Sequence, residues 1–233
     1  MARLARLSLA GLPHLVEQSG HNGHPVATDA VDRAAYRDFL ARAAAETGLS
    51  VHAYCIERAR VLLLATPATD DALSRAIQRV GRSYTAWFNR RHGRSGTLWA
   101  GRFRATVIEP QSELVAAMRH VEADAALAGD ASAAPAERVS SVAHHLGLLS
   151  DPLVSDHARF WELGNTPFDR HAAYRLLVMQ PLADRERSRF DNAVRKGWAL
   201  GPDVFLRDLE ARLERRVRPR SPGRPRRQGS PAA

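Results

Sequence analysis

The hydrophobic positions in the first half of the chain repeat every second residue in some segments and every third or fourth in others. Residues 50–56 alternate between apolar and polar side chains as a half-buried strand does, and 61–66 form an apolar run typical of a central strand. Residues 7–18, a short strand entry broken by Gly11 and Pro13, and the apolar run 106–108 indicate two further strands. The pattern therefore predicts four strands.

Helical spacing separates these strands. Helices are predicted at about 30–47 after a cap at Thr28 or Asp29, from Thr69 or Asp70 to about Arg91, and from Gln111 to Leu127. Gly48, His92-Gly93 and Gly129 would end them. The order β-α-β-β-α-β-α predicts an α+β fold, an antiparallel sheet with helices on one face.

After Gly129 the chain first shows helical hydrophobic patterns and then, from Pro219 onward, no periodic pattern. Short helices are expected at about 135–146, 168–179, 184–195 and 202–216. From Pro219 onward the chain is rich in Pro, Arg, Gly and Ser, a composition that does not fold alone. The expected organisation is a main domain over 1–129, a helical region over 130–217 and a disordered basic tail over 218–233.

Composition excludes several classes of protein. With 45% hydrophobic residues the chain can form a core, and Cys55, its single cysteine, excludes a disulfide framework. No run approaches the roughly 20 apolar residues that span a bilayer, and no secretory signal is apparent. A cytoplasmic protein without a membrane partner is therefore expected.

The formal net charge of +9 is concentrated in two blocks. Residues 79–104 contain seven Arg and no acid, and residues 212–227 contain eight Arg with Glu214 as the sole acid. Each block carries +7, so the remainder sums to −5. Arg binds phosphate with two parallel hydrogen bonds and stacks on bases, which makes a polyanion the expected partner.

The first block alternates arginines with aromatic residues over 84–104, around glycines at 93, 96 and 101. Single-stranded nucleic acid requires such a mixture, because cations neutralise phosphates and flat rings stack on unpaired bases. The alternative is a helix end whose aromatics are core, and we favour it for Trp87 and Phe88. The predicted DNA contacts are Arg90, Arg91, Arg94, Arg102 and Arg104, with Trp99 stacking or packing.

Six short motifs of the chain resemble those of one family. They are Met1-Ala-Arg-Leu-Ala-Arg-Leu, Gly-Leu-Pro-His-Leu-Val at 11–16, Ala-Tyr-Cys at 53–55, Asn89-Arg-Arg-His-Gly-Arg-Ser-Gly, Leu98-Trp-Ala-Gly-Arg-Phe103, and Arg195-Lys-Gly-Trp-Ala-Leu-Gly-Pro-Asp-Val-Phe-Leu. With these the chain resembles the REP-associated tyrosine transposases of the His-hydrophobic-His superfamily. The resemblance implies a ferredoxin-like domain that binds DNA hairpins and cuts single strands with a tyrosine and a divalent metal such as Mg²⁺.

The metal-ligand positions of that family are substituted. After Ala-Tyr-Cys the family has Met-Pro-Asn-His-x-His before an apolar strand, whereas this chain has Glu-Arg-Ala-Arg-Val-Leu at 57–62. Arg60 and Leu62 therefore stand where the two histidines would be. Neither side chain offers a lone pair to a cation, so we expect no metal and no other cofactor at this site.

The nucleophile position is substituted as well. The family's Tyr-x-x-x-Asn-Pro aligns with a segment that has His120 at the tyrosine and Asp124 at the asparagine. The family's His before Leu-Trp is Thr97 here. No His-x-His occurs in the chain, and the adjacent His144 and His145 are expected to point apart on a helix. The interpretation is a degenerate active site with no catalytic residue.

The tail has its own predicted role. Pro222-Gly-Arg-Pro-Arg-Arg is similar to the Gly-Arg-Pro core of hooks that lay Arg into the DNA minor groove. Arg224, Arg226 and Arg227 are therefore further predicted DNA contacts, at least as an electrostatic tether.

Three hypotheses follow. The leading one is a DNA-binding protein of transposase descent that binds single-stranded or hairpin DNA, has lost its chemistry, and could form a homodimer. The second is an active transposase that uses Glu57, Glu122 or Asp124 as ligands and His120 or Tyr54 as nucleophile. The third is a non-catalytic RNA- or protein-binding remnant.

Overall fold

The computed structural model describes residues 7–127 and 139–219. Its centre is a five-stranded antiparallel sheet with the order β4-β1-β3-β2-β5. The strands are β1 (His14–Ser19), β2 (Leu49–Ile56), β3 (Arg60–Pro67), β4 (Arg104–Val107) and β5 (Val139–Ser140). The four strands predicted from the sequence pattern are present, and the predicted α+β class is confirmed.

The helices of the main domain also follow the predicted pattern. They are α1 (Ala30–Thr47), α2 (Ala72–Arg91) and α3 (Pro110–Leu127), with a short 3-10 turn at His21–Gly23. The carboxylate of Asp29 caps α1 by accepting from the Asp32 amide, and Gly48 ends it in a left-handed conformation with φ of 71°. The second half contains α4 (Val142–His145), α5 (Ala158–Trp161), α6 (Pro167–Val178), α7 (Asp184–Lys196) and α8 (Asp203–Leu213).

Helices cover both faces of the sheet, whereas the sequence predicted one. α1 and α2 pack on the face that presents Val16, Ile56 and Leu63. α3 packs on the opposite face with Leu15 and Leu62, and α4, α6 and α7 join the same core. The prediction was incomplete because the strand residues on both faces are apolar. Such a pattern indicates that both faces are buried, but it does not indicate which helix covers which face.

A third apolar cluster connects the two ends of the described chain. Leu7 and Leu9 pack with Val107 of the edge strand and with Leu206 and Leu209 of α8. The amide of Leu200 donates to the Val107 carbonyl at 2.9 Å, which ties the α7–α8 connection to β4. The C-terminal helices are thereby held against the sheet.

Several predicted segments differ or lie elsewhere. Over the described part of the helix expected at 135–146, residues 139–146, the structure has the short strand β5 followed by α4, and α5 was not predicted. Residues 128–138 and the tail arginines Arg224, Arg226 and Arg227 lie outside the described residues. Among the helices that are described, none is long and apolar enough to cross a membrane.

Candidate nucleic-acid interface

The predicted DNA contacts lie at the end of α2 and in the loop that leads to β4. This loop crosses the end of β1, where the amide of His21 donates to the Leu98 carbonyl and the amide of Ala100 donates to the Ser19 carbonyl, both at 2.9 Å. Gly20 and Trp99 form an isolated β-bridge. The loop is therefore fixed to the sheet rather than free in solvent.

Most aromatic side chains of this stretch are core residues. Tyr84 and Phe88 are buried, and Trp87 is partly buried and stacks on Tyr84 with ring centroids 5.7 Å apart. Trp99 is 8% exposed, and its ring centroid lies 6.0 Å from that of Tyr36 and 6.2 Å from that of Tyr84. The interpretation of Phe88 as core is confirmed, and Trp99 packs as well.

Three arginines of the first block have acidic partners on other elements. Arg91 forms ion pairs with Asp29, at 2.7 Å, and with the buried Asp32. The Arg91 hydrogen bond lowers the pKa of Asp29 to about 2. Burial opposes ionisation of Asp32, but hydrogen bonds from Thr28, His92 and Arg91 outweigh it and lower its pKa. Arg91 thus serves the structure of the α1–α2 pair.

In the other two pairs the arginine side chain is more exposed than that of Arg91. Arg79 Nε lies 2.6 Å from Glu46 Oε2 at the protein surface, and Arg104 Nη1 lies 4.0 Å from Glu17 Oε1 across the β1–β4 pair. Surface pairs of this kind contribute little to stability and leave the guanidinium accessible. Arg104 can therefore still face a phosphate.

Four arginines of the block are exposed and have no acidic partner within residues 7–127 and 139–219: Arg82, Arg90, Arg94 and Arg102. Arg94 lies over the ring of Phe88, with 5.6 Å between its guanidinium carbon and the ring centroid. These unpaired cations form the strongest candidate surface for a polyanion. Three of the four were predicted, and Arg82 was not, because nothing in the sequence shows what lies opposite it.

The four substituted family positions lie on the other face of the sheet, toward α3. Arg60 Nε lies 2.7 Å from Glu57 Oε2, and Leu62 is buried in the core shared with α3. The His120 Nε2 lies 3.5 Å from Asp191 Oδ1 on α7, while its Nδ1 is buried without a hydrogen-bond partner. Burial, together with the nearby Arg60 and Arg187, lowers the pKa of His120 to about 4, so the ring is neutral at pH 7.

Asp124 faces α7 rather than an open cleft. It accepts two hydrogen bonds from Arg187, at 2.7 and 2.8 Å. Arg60 and Asp124 both act electrostatically on His120, so these three side chains share one neighbourhood, and Leu62 is paired with Glu17 in the β1–β3 register. Glu17, whose carboxylate also pairs with Arg104, acts on both Arg60 and His120. The four positions therefore converge beside the arginine-rich edge of the sheet.

The residues of the active-transposase alternative are engaged elsewhere. The Tyr54 hydroxyl is buried and donates to Asp151 at 2.6 Å, and burial raises the pKa of the phenol. Glu122 is fully buried and accepts from Tyr174 at 2.6 Å and from the His145 ring at 2.8 Å. Neither group is accessible to a nucleic-acid strand.

One group of side chains has ligand atoms as close together as those of a metal site. His144, His145 and Asp156 offer ligand atoms within 4.8 Å of one another, although adjacent histidines were expected to point apart. The amide of Asp151 donates to His144 Nδ1 at 3.1 Å, so the neutral ring carries its proton on Nε2 and donates it to Asp156. In that tautomer His144 Nε2 has no lone pair to offer a metal. Of the three residues, His145 and Asp156 then remain as ligands, whereas a stable site needs three or four.

Comparison with known proteins supports the fold. No protein-family model matches the sequence, and neither does any curated protein. Among solved structures, that of a REP-associated tyrosine transposase bound to a REP hairpin is similar, with a TM-score of 0.52 and 12% sequence identity. The match covers 67% of this chain and 92% of that one. The chain thus has a transposase-like fold.

Proposed function

We propose that this protein binds single-stranded or hairpin DNA through the arginines of α2 and the α2–β4 loop and does not cleave it. The observation that carries the proposal is a set of four exposed arginines, on a transposase-like fold, that have no acidic partner in the described part of the chain. The similar structure is of a transposase bound to a hairpin, which makes a hairpin the first ligand to test.

The side chains at the four substituted family positions support the proposal that the DNA is not cleaved. Arg60 is cationic and already paired with Glu57, and Leu62 has no donor atom, so neither holds a divalent metal. His120 is a neutral ring buried against Phe190 rather than an exposed phenol. A phosphotyrosine intermediate requires a tyrosine nucleophile and, in the family, a metal, and the side chains at these positions supply neither.

The test measures binding and cleavage on the same labelled hairpin with a single-stranded flank. Arg90→Gln combined with Arg94→Gln should weaken binding, measured by fluorescence anisotropy, on the order of tenfold, because two phosphate contacts are lost. Arg207→Gln, an exposed arginine on α8, is the matched control and should leave binding unchanged.

The cleavage arm incubates the same hairpin with Mg²⁺ or Mn²⁺ and resolves the products on a denaturing gel. The expected result is intact DNA and no covalent protein–DNA adduct. A nicked product or an adduct would show an active transposase, and an RNA hairpin that competes better than DNA would indicate the RNA-binding alternative.

A further inference from the structure

α6 and its C-cap carry a second apolar face that points away from the core. Tyr174 and Val178 on the first face are buried in the core shared with α3. Phe168, Leu176 and Met179 on the second are 84%, 71% and 48% exposed, so no part of the described chain covers them. A helix that is apolar on both faces is normally buried on both, and an exposed apolar patch marks an interaction surface.

The exposed residues form one stripe along the helix. Phe168, Ala172, Leu176 and Met179 follow one another at intervals of four, four and three residues, which places them on the same side of an α-helix. This is the spacing by which one helix packs on another. Ala172, near the middle of the stripe, has a small side chain, so a second helix can approach closely there.

The turn after α4 extends the apolar surface. Arg175 donates to the carbonyl of Leu146, the C-cap of α4, at 3.3 Å, so this turn lies against α6. Leu148 and Leu149 come next in the chain and are exposed as well. Of the nine large apolar side chains that are exposed in the described chain, six lie within residues 148–179. The exposed apolar residues are therefore concentrated in the region of α6 rather than scattered over the molecule.

Two opposite charges flank the stripe at equal distances from its middle. Asp169 lies three residues before Ala172 and Arg175 three residues after it, and neither has an oppositely charged partner in the described chain. In an antiparallel pair of such helices with a two-fold axis at Ala172, Asp169 of one copy lies level with Arg175 of the other. Phe168 then lies level with Leu176. In a parallel pair like charges would lie level, so the stripe is complementary to itself in the antiparallel orientation.

From this arrangement we infer that α6 pairs with α6 of a second copy of the chain, antiparallel about a two-fold axis at Ala172. Burial of Phe168 and Leu176 supplies the favourable free energy, and the charges of Asp169 and Arg175 set the orientation. The inference goes beyond the proposed function and does not depend on it. The α2 helix lies on the opposite face of the sheet, so the pairing leaves its arginines exposed.

Sedimentation velocity of the full chain without DNA tests the pairing. Between about 1 and about 100 µM, a range in which small interfaces associate, the mass should rise from that of one chain to that of two. Phe168→Ser combined with Leu176→Ser should keep the mass of one chain throughout. Val31→Ser combined with Val204→Ser removes two exposed apolar side chains from α1 and α8 and should dimerise as the unsubstituted protein does.

An exchange of charges tests the orientation. Asp169→Arg brings like charges level with one another in the pair, and Arg175→Asp does the same with the opposite sign, so each variant alone should remain a monomer. An equimolar mixture of the two variants should form a mixed dimer, because every cation then lies level with an acid. Recovery in the mixture also shows that both variants are folded.

Three results would overturn the inference. The first is the mass of a single chain for the unsubstituted protein over the whole concentration range. The second is a dimer that persists when Phe168 and Leu176 are both serine, because the interface would then lie elsewhere. The third is a mixture of the two charge variants that stays monomeric, since the antiparallel pairing about Ala172 requires it to associate.

Discussion

Arg90 and Arg91 are neighbours in the sequence and have opposite environments in the structure. Arg90 is exposed with no acidic partner in the described chain, whereas Arg91 pairs with Asp29 and with the buried Asp32. Arg91→Gln should therefore lower the melting temperature by a few degrees, because Asp32 loses a cationic partner while its carboxylate stays buried. Arg90→Gln should leave the melting temperature unchanged and weaken hairpin binding.

Thermal unfolding and hairpin binding of the two variants check this contrast. If Arg91→Gln melted like the unsubstituted protein and lost binding instead, Arg91 would belong to the interface as the sequence predicted. The sequence could not separate the two residues, because Asp29 and Asp32 lie about 60 positions earlier in the chain and reach Arg91 only through the packing of α1 on α2.

His120 links the substituted site to the pH dependence of stability. Its pKa is about 4 in the folded protein and returns to its ordinary value near 6.5 on unfolding. Between these values the unfolded state binds a proton that the folded state does not, so the free energy of unfolding falls as the pH falls through this window. The contribution is at most about 1.4 kcal/mol per pH unit.

Urea unfolding at pH 7 and pH 5 measures this loss. His120→Gln should lose less stability than the unsubstituted protein over that interval, because one proton-linked group is gone. His21→Gln, at an exposed histidine, should behave as the unsubstituted protein does. If His120→Gln lost as much stability between pH 7 and pH 5 as the unsubstituted protein does, the pH dependence would belong to other titratable groups.

At the scale of secondary-structure elements, the ends of a helix were predicted most accurately where capping residues and hydrophobic periodicity indicate the same boundaries. α1 begins after Asp29 and ends before Gly48 as predicted, because a side-chain cap and a left-handed glycine define its two ends. β5 has two residues and α5 has four, too few for any periodicity to appear. Their existence depends on contacts with β2 and α3, which are tertiary.

The groove between α2 and residues 99–103, about 660 Å³ in volume, shows the same limit. The sequence contains Gly81 and Trp99 in plain view, but a lone glycine in a helical pattern has several explanations. Only the antiparallel placement of β1 beside β4, and of the loop across the end of β1, puts Gln18 and Trp99 under Gly81. A groove formed by three elements cannot be deduced from the spacing within any one of them.

At the scale of the whole molecule, the order of strands and helices could be predicted and their arrangement on two faces could not. One consequence is that the groove and the substituted family positions lie on opposite faces of the sheet. Arg102 and Arg104 lie at the edge between these faces, with Arg102 lining the groove and Arg104 beside Glu17. A DNA strand along this edge can therefore contact both faces.

The basic tail should add affinity to this edge without adding stability. Residues 220–233 contain four Arg and no acid. Each phosphate contact contributes about 0.7 to 0.9 to the slope of log affinity against log salt concentration. Truncation after Pro219 should therefore reduce the magnitude of that slope by up to about 3, with the melting temperature unchanged, since the buried Val217 and the Arg218 ion pairs are retained.

A full-length variant with glutamine at Arg220, Arg224, Arg226 and Arg227 separates charge from chain length. It should match the truncation in both affinity and salt slope, because the contribution of the tail comes from counterion release. If the glutamine variant instead retained the affinity of the unsubstituted protein, the tail would act through its backbone rather than its charge. If both variants kept the full salt slope, every phosphate contact would lie on the arginines of the folded region.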